Sequence, residues 1–172
     1  MPRLLLLLIL MLSANLSVAA DELRVVVVRH AEKAADGGRD PVLSAAGRQR
    51  AQALAKLLGK QPPAVIYATQ YRRTQLTAAP LARASQQRIR VRPAGESAAS
   101  LAAQVRNDRT RGTVLVVGHS NTVPALVEAL SGQAIAAIGE DEYDHVFIVT
   151  VPAQGPARLE SGRYPVATPA SP

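Results

Sequence analysis

Residues 23–33 read Leu23-Arg24-Val25-Val26-Val27-Val28-Arg29-His30-Ala31-Glu32-Lys33. Four consecutive valines are typical of a strand buried on both faces, as the strands of parallel sheets are. In open α/β sheets, ligands bind in the crevice beyond the carboxyl ends of such strands. Arg29 and His30 come at that end, so the stretch predicts a central strand with a candidate site beside it. Taken alone, the pair is equally compatible with an ordinary strand end that faces water.

The first twenty residues have the plan of a secretory signal peptide. Arg3 gives a positive start, residues 4–12 are continuously apolar, and Val18-Ala19-Ala20 offers a small-residue cleavage site. The apolar run is short for a bilayer span, although an uncleaved anchor is the alternative. We therefore expect cleavage after Ala20, export to the periplasm or medium, and no stable membrane association afterwards. Residues 21–152 then form the domain, and residues 153–172 form an edge strand and a flexible tail.

Composition limits the function classes. The chain has 172 residues, no cysteine and a formal net charge of +7, which suits one domain with a sizeable core. A positive charge can indicate nucleic acid, an anionic surface or small anionic substrates. Aromatic residues are only 3% of the chain and no dense Lys/Arg run occurs. Bases would find few stacking surfaces, so nucleic acid is not expected as a partner.

Strands and helices alternate along the rest of the chain. Gly59 ends the first predicted helix, Pro80 is the main objection to a straight second one, and Ser120 or Asn121 can cap the last. The alternation predicts an α/β fold: a three-layer α/β/α sandwich with a mostly parallel central sheet and helices on both faces. The predicted strands are 23–28, 64–68, 88–91, 113–117, 143–151 and an edge strand at 158–164; the predicted helices are 47–58, 70–84, 97–107 and one after residue 121.

Three predicted strand ends deliver basic side chains to one edge of this sheet. Such a cluster is costly without a counter-anion, and guanidinium groups match phosphate oxygens well. A zinc site would need three or four spaced ligands, and neither a P-loop nor a nucleophile elbow follows the strands. The third histidine, His145, is interpreted as structural or surface-exposed. The strand-end residues are Arg29 and His30, Arg72 and Arg73, and His119.

These motifs resemble those of the histidine phosphatase superfamily, the phosphoglycerate-mutase-like proteins. Val28-Arg29-His30-Ala31-Glu32 is similar to the family's Arg-His-Gly motif, and Val117-Gly118-His119-Ser120 is similar to its second Gly-His motif. Residues 69–78 resemble Ser-Ser-x-x-x-Arg-x-x-Gln-Thr-Ala, which aligns Arg73 rather than Arg72 with the phosphate-binding arginine. Residues 40–47 match the Leu-Ser-x-x-Gly link. The departures are Ala31 for Gly, whose backbone must avoid a conformation that only Gly tolerates easily, Thr69 for Ser and Leu76 for Gln.

The resemblance implies a phosphomonoester hydrolase rather than a mutase, because the chain lacks room for the insertions of the larger mutases. His30 would become a phosphohistidine, while Arg29, Arg73 and His119 would bind the phosphoryl group. No metal or other cofactor is required, and the partner is a small phosphorylated substrate or a phosphoprotein.

The proton donor is less clear. Glu96 is the first candidate, although it is as well explained by a helix N-terminus; Asp108 and Glu32 follow. A good leaving group, or a phosphohistidine substrate, needs no dedicated donor. Lys33 is a further candidate contact for a substrate anion.

Two readings from other classes remain open. A non-catalytic exported phosphate- or anion-binding module would bind phosphate without forming a phosphoenzyme. A basic surface-binding protein would lose its interactions in salt and keep them in His30→Ala.

Overall fold

The computed structural model describes residues 22–35, 38–108 and 112–164. The expected signal peptide at residues 1–20 and the tail at 165–172 lie outside the described residues, so both stay predictions. Within the described ranges, no helix combines the length and the apolarity needed to cross a membrane.

Six strands form one mixed sheet in the order β3-β2-β4-β1-β5-β6. The first four strands in this order run parallel to one another, and β5 is antiparallel to both β1 and β6. The predicted mostly parallel α/β sheet is therefore confirmed. In chain order the elements are β1 (Leu23–Arg29), α1 (Ala45–Leu58), β2 (Val65–Thr69), α2 (Arg72–Ala84), β3 (Ile89–Arg92), α3 (Ala98–Asn107), β4 (Gly112–Gly118), α4 (Val123–Ser131), β5 (His145–Val151) and β6 (Arg158–Arg163).

The four valines of β1 divide between two cores because side chains alternate across a strand. Val25 and Val27 pack in one cluster with residues of α3 and α4. Val26 and Val28 pack in the other with residues of α1 and α2. All four are fully buried, and each contributes about 1.5–3 kcal/mol of transfer free energy. Helices on both faces make the predicted three-layer sandwich.

Helix α1 holds the loop that follows β1. Ser44 caps this helix, since its hydroxyl accepts from the Gly47 amide at 3.1 Å. The Ser44 amide itself donates to the Glu32 carbonyl at 2.9 Å. A Cβ on Gly47 would overlap that same carbonyl, so glycine is what lets the helix approach the loop. The Arg50 guanidinium donates to the Glu32 carboxylate oxygens at N–O distances of 2.6–2.9 Å.

Helix α2 ends at Ala84, as predicted, and runs through Pro80. One other helix detail differs from the sequence expectations. Helix α4 has Thr122 as its N-cap, not Ser120 or Asn121. The Thr122 hydroxyl accepts from the His119 amide at 3.0 Å, which keeps residues 119–122 in a turn and delays the helix.

Candidate active site

A polar pocket of about 410 Å³ lies at the carboxyl edge of the parallel strands, and Arg29, His30, Arg73 and His119 all line it. It forms there because β1 and β4 are parallel neighbours that pair Arg29 with Gly118. The His30 amide extends this pairing by donating to the Gly118 carbonyl at 2.9 Å. Four of the predicted site residues are thus brought together.

His30 is held as a neutral imidazole. Its side chain is 4% exposed, and its Nδ1 lies 2.8 Å from the Ala31 carbonyl oxygen. Because a carbonyl only accepts, Nδ1 carries the proton and Nε2 keeps its lone pair. The pKa of His30 is lowered to about 3, chiefly by burial; the hydrogen bond to Ala31 opposes this effect, and the neighbouring His119, Arg73 and Arg29 add to it.

His119 is the second neutral imidazole of the pocket, with its ring centroid 5.3 Å from that of His30. Burial, followed by the charges of Arg73 and Arg29, lowers the pKa of His119 to about 4. Its Nε2 lies 3.0 Å from the Thr69 hydroxyl, which is 2.9 Å from the Thr74 hydroxyl. Thr69, which replaces the Ser of the family motif, therefore orients the ring from the end of β2.

Arg29 is fixed by the loop before β5. Its Nη1 donates to the carbonyls of Gly139 at 2.6 Å and Glu142 at 3.1 Å. Its Nη2 lies 3.3 Å from the Glu140 carboxylate, and its guanidinium sits 4.2 Å from the centroid of the Tyr143 ring. A buried guanidinium with this many partners is rigid, so it presents a pre-positioned positive charge to the pocket.

The two adjacent arginines of α2 have different surroundings. Arg73 lines the pocket, and its guanidinium lies 4.4 Å from the centroid of the Tyr71 ring and 4.0 Å from the Asp40 carboxylate. Arg72 is exposed, and its backbone amide donates to the Asp40 carboxylate at 2.8 Å. The placement agrees with the alignment that selected Arg73.

Ala31 fits where the family motif has glycine. Among the described non-glycine residues, only Gln86 has a positive φ, so Ala31 avoids the conformation that favours glycine. Ala31 is completely buried, and its amide donates to the Thr77 hydroxyl at 2.9 Å.

The three candidate proton donors all lie outside the set of described residues that line the pocket. Glu96 is paired with Arg92 at 2.5–2.8 Å, and this pairing, with help from the Ser100 hydroxyl, lowers the pKa of Glu96. Asp108 accepts from the Tyr67 hydroxyl and from Arg90. Glu32 is held by Arg50. As a donor, Glu96 stays a prediction.

Sequence reasoning missed the loop residues that complete the pocket. Glu140, Tyr71 and Ser120 line it together with the predicted Lys33, and the Ser120 hydroxyl lies 3.2 Å from the Glu140 carboxylate. Tyr143 contacts Arg29 from the same loop as Glu140. The acidic stretch 140–144 was the only signal for this loop, and nothing in it specifies a contact with Arg29. His145, at the start of β5, has its Nε2 3.3 Å from the Glu142 carboxylate and its ring stacked on Phe147, away from the pocket lining.

Across the described ranges, no group of three or more His, Cys, Asp or Glu side chains is arranged to hold a metal ion. The pocket instead gathers guanidinium groups and neutral imidazoles, which suit an anion. Fold and site together define an α/β protein with a positively charged pocket at the carboxyl edge of its sheet.

A family model described as the histidine phosphatase superfamily (branch 1) matches residues 25–96. The match agrees with the resemblance found in the motifs of this part of the chain. No curated protein matches the chain.

Solved structures of phosphatases share the fold. A protein provisionally described as the phosphohistidine phosphatase SixA of Nakamurella multipartitia is 26% identical with a TM-score of 0.64, over 86% of this chain and 99% of that one. A protein histidine phosphatase SixA complexed with tungstate is 19% identical with a TM-score of 0.68, over 81% and 96%. A mycobacterial glucosyl-3-phosphoglycerate phosphatase is 20% identical with a TM-score of 0.62, over 85% and 100%.

Proposed function

We propose that this chain is a phosphomonoester hydrolase that acts through a phosphohistidine on His30. The observation that carries the proposal is the Nδ1 contact to the Ala31 carbonyl at 2.8 Å. It leaves Nε2 unprotonated, inside a pocket that two arginines line. An unprotonated imidazole is a nucleophile, and the guanidinium groups supply charge for the phosphoryl oxygens.

In the first step, Nε2 of His30 attacks phosphorus as the bond from phosphorus to the leaving oxygen breaks. Arg29, Arg73 and His119 bind the phosphoryl oxygens and stabilise their charge in the transition state. In the second step, water attacks the phosphohistidine, inorganic phosphate leaves, and the Nε2 lone pair of His30 is regenerated. No metal enters this scheme.

The leaving oxygen needs a proton unless it is a good leaving group. Glu96 is our proposed donor. It lies just before α3 and lines a second cavity, which shares lining residues with the polar pocket. We call the polar pocket the phosphate pocket. Its pairing with Arg92 lowers its pKa, so only a small fraction of Glu96 carries a proton at neutral pH. We therefore expect aryl phosphates to be better substrates than alkyl phosphates at pH 7.

The neighbouring structures support a phosphorylated substrate. Two are described as phosphatases of phosphohistidine or of protein histidine, and one as a phosphatase of glucosyl-3-phosphoglycerate. A small phosphorylated molecule and a phosphoprotein are both compatible with these descriptions. We propose that the protein meets its substrate after export, and N-terminal sequencing of the exported protein is expected to begin at Asp21.

The test is hydrolysis of an aryl phosphate in the presence of a chelator by wild type, His30→Ala and the control His145→Ala. We expect wild type and His145→Ala to turn over and His30→Ala to lose roughly a thousandfold or more in kcat. After incubation with a radiolabelled phosphorylated substrate, an acid-labile phosphoryl label should be trapped on wild type and not on His30→Ala. Equal rates in wild type and His30→Ala would exclude His30 as nucleophile. Phosphate binding with no turnover would establish the binding module instead.

A further inference from the structure

A second cavity, apolar and about 130 Å³ in volume, lies beside the phosphate pocket between α3, α4 and the ends of β2 and β4. We define it as the side cavity. Val116 and Leu126 line it and are buried, with 2% and 4% of their surface exposed. Leu101 and Ala98 of α3 form the opposite wall.

The side cavity and the phosphate pocket share three lining residues. Ala94, Asn121 and Thr122 line both the phosphate pocket and the side cavity. Thr69 also lines the side cavity, and its hydroxyl is the group that contacts Nε2 of His119 at 3.0 Å. A phosphoryl group held by His119 and the arginines therefore has an apolar space within reach of its ester oxygen.

We propose that the side cavity binds the leaving group, and that the substrates are small phosphomonoesters with a compact apolar leaving group of about phenyl size. This inference rests on the proposed function and names its substrate class. The volume fits, because an engineered apolar cavity of roughly 150 Å³ binds benzene. A cavity of about 130 Å³ has room for such a ring but not for a peptide chain attached opposite the phosphate. Phosphotyrosine within a peptide is thus a poor substrate.

The position of Glu96 is consistent with this assignment. Glu96 and Arg92 are among the polar residues that line the side cavity, so an ester oxygen between the two spaces lies on the side of the predicted donor. The remaining apolar surface gains binding free energy from the hydrophobic effect when a ring displaces water from it.

The first experiment measures binding, which does not depend on turnover. Calorimetry with phenylphosphonate and methylphosphonate should show at least tenfold tighter binding of the phenyl compound, about 1.4 kcal/mol. Ala98→Phe, which fills the side cavity, should abolish that preference, whereas Ala99→Phe, at the neighbouring exposed position on α3, should keep it. Equal binding of both phosphonates by wild type would overturn the side-cavity assignment and leave the proposed function standing. Binding of neither, together with no turnover, would overturn both.

The second experiment measures selectivity. Wild type should have a kcat/KM for phenyl phosphate at least tenfold above that for a phosphotyrosine peptide, and Leu101→Ala, which enlarges the side cavity, should shift preference toward naphthyl phosphate. Because removing bulk keeps α3 foldable where Phe at residue 98 could disturb it, this variant provides an independent check. Equal or faster turnover of the peptide, or an unchanged phenyl-to-naphthyl ratio in Leu101→Ala, would overturn the assignment.

Discussion

Arg72 and Arg73 show how much the position of a single guanidinium decides. Both begin α2, yet Arg73 alone lines the phosphate pocket and lies against the Tyr71 ring. A charged hydrogen bond to a phosphoryl oxygen contributes about 1.5–3 kcal/mol, more than a neutral one. The identity of the arginine, rather than the local charge, should therefore control phosphate affinity.

We expect Arg73→Gln to weaken binding of inorganic phosphate by roughly 10- to 100-fold, in line with the loss of such a bond. Arg72→Gln is the matched control, since it removes the same charge from an exposed site, and its affinity should stay within about threefold of wild type. Calorimetric titration with phosphate at fixed ionic strength makes the measurement. Similar losses in both variants would point to bulk electrostatics instead of a specific contact.

Glu96 provides the second test at this scale. If it donates the proton, turnover of alkyl phosphates falls as pH rises through its lowered pKa. Arg92→Gln removes the largest cause of that lowering, so the alkaline limb of the kcat profile should move to higher pH. Glu96→Gln should slow alkyl phosphates and leave aryl phosphates, which need no donor, near the wild-type rate. A limb that stays in place in Arg92→Gln would remove Glu96 from the mechanism.

At the scale of elements, the chain order of motifs is enough to predict the sheet edge but not the loop that completes it. Four consecutive valines at Val25–Val28 are explained by a strand that is buried on both faces of a sheet. Arg29 and His30 must then lie at the carboxyl end of that strand. The partners of Arg29, by contrast, come from residues 139–143, an irregular segment with no periodicity. Its position depends on tertiary contacts such as the Arg29 guanidinium on the Gly139 carbonyl. The start of α4 escaped prediction for a similar reason, because Thr122 caps the amide of His119 instead of its own helix.

Gly47 joins two of these elements and supplies the prediction for this scale. A methyl group at residue 47 must push α1 away from the Glu32 carbonyl, and overpacking of this kind costs about 1–3 kcal/mol. We expect Gly47→Ala to lower the free energy of unfolding by that amount and to reduce kcat, because the loop that carries Ala31 and Lys33 shifts. Gln52→Ala, exposed on the same helix, is the control and should match wild type in urea unfolding and in aryl phosphate hydrolysis. Unchanged stability in Gly47→Ala would mean that the helix and loop separate freely.

At the scale of the whole molecule, the phosphate pocket lowers the free energy of unfolding, and packing in the two cores must offset that loss. Burying His30 and His119 as neutral groups beside two arginines disfavours their protonation. Unfolding releases both imidazoles to an ordinary pKa near 6.5. Below that pH, the unfolded state binds protons that the folded state does not bind, so the free energy of unfolding falls as pH falls.

The two histidines set both the direction and the pH range of this dependence. Their folded pKa values are lowered to about 3 and about 4. Their contribution to the free energy of unfolding is therefore complete above pH 6.5 and declines as pH falls toward those values. Each histidine should lower the free energy of unfolding by on the order of 2 kcal/mol between pH 6.5 and 5. The carboxylates of Glu96 and Glu142, whose pKa values are also lowered, lose their contribution only as pH falls below about 4.5, so they leave this window clear.

Urea unfolding in phosphate-free buffer should therefore show a steep loss of stability from pH 6.5 to 5. In His119→Gln the loss of unfolding free energy over the same interval should be about half, because one of the two buried neutral imidazoles is removed. Saturating inorganic phosphate should flatten the wild-type dependence, since a bound anion favours the protonated imidazoles and stabilises the folded state. The same phosphate should have little effect on the slope of Arg73→Gln, whose anion site is weakened. A flat wild-type curve between pH 6.5 and 5 would mean that the imidazoles accept protons in the folded protein, which would also deprive His30 of the neutral state that its attack requires.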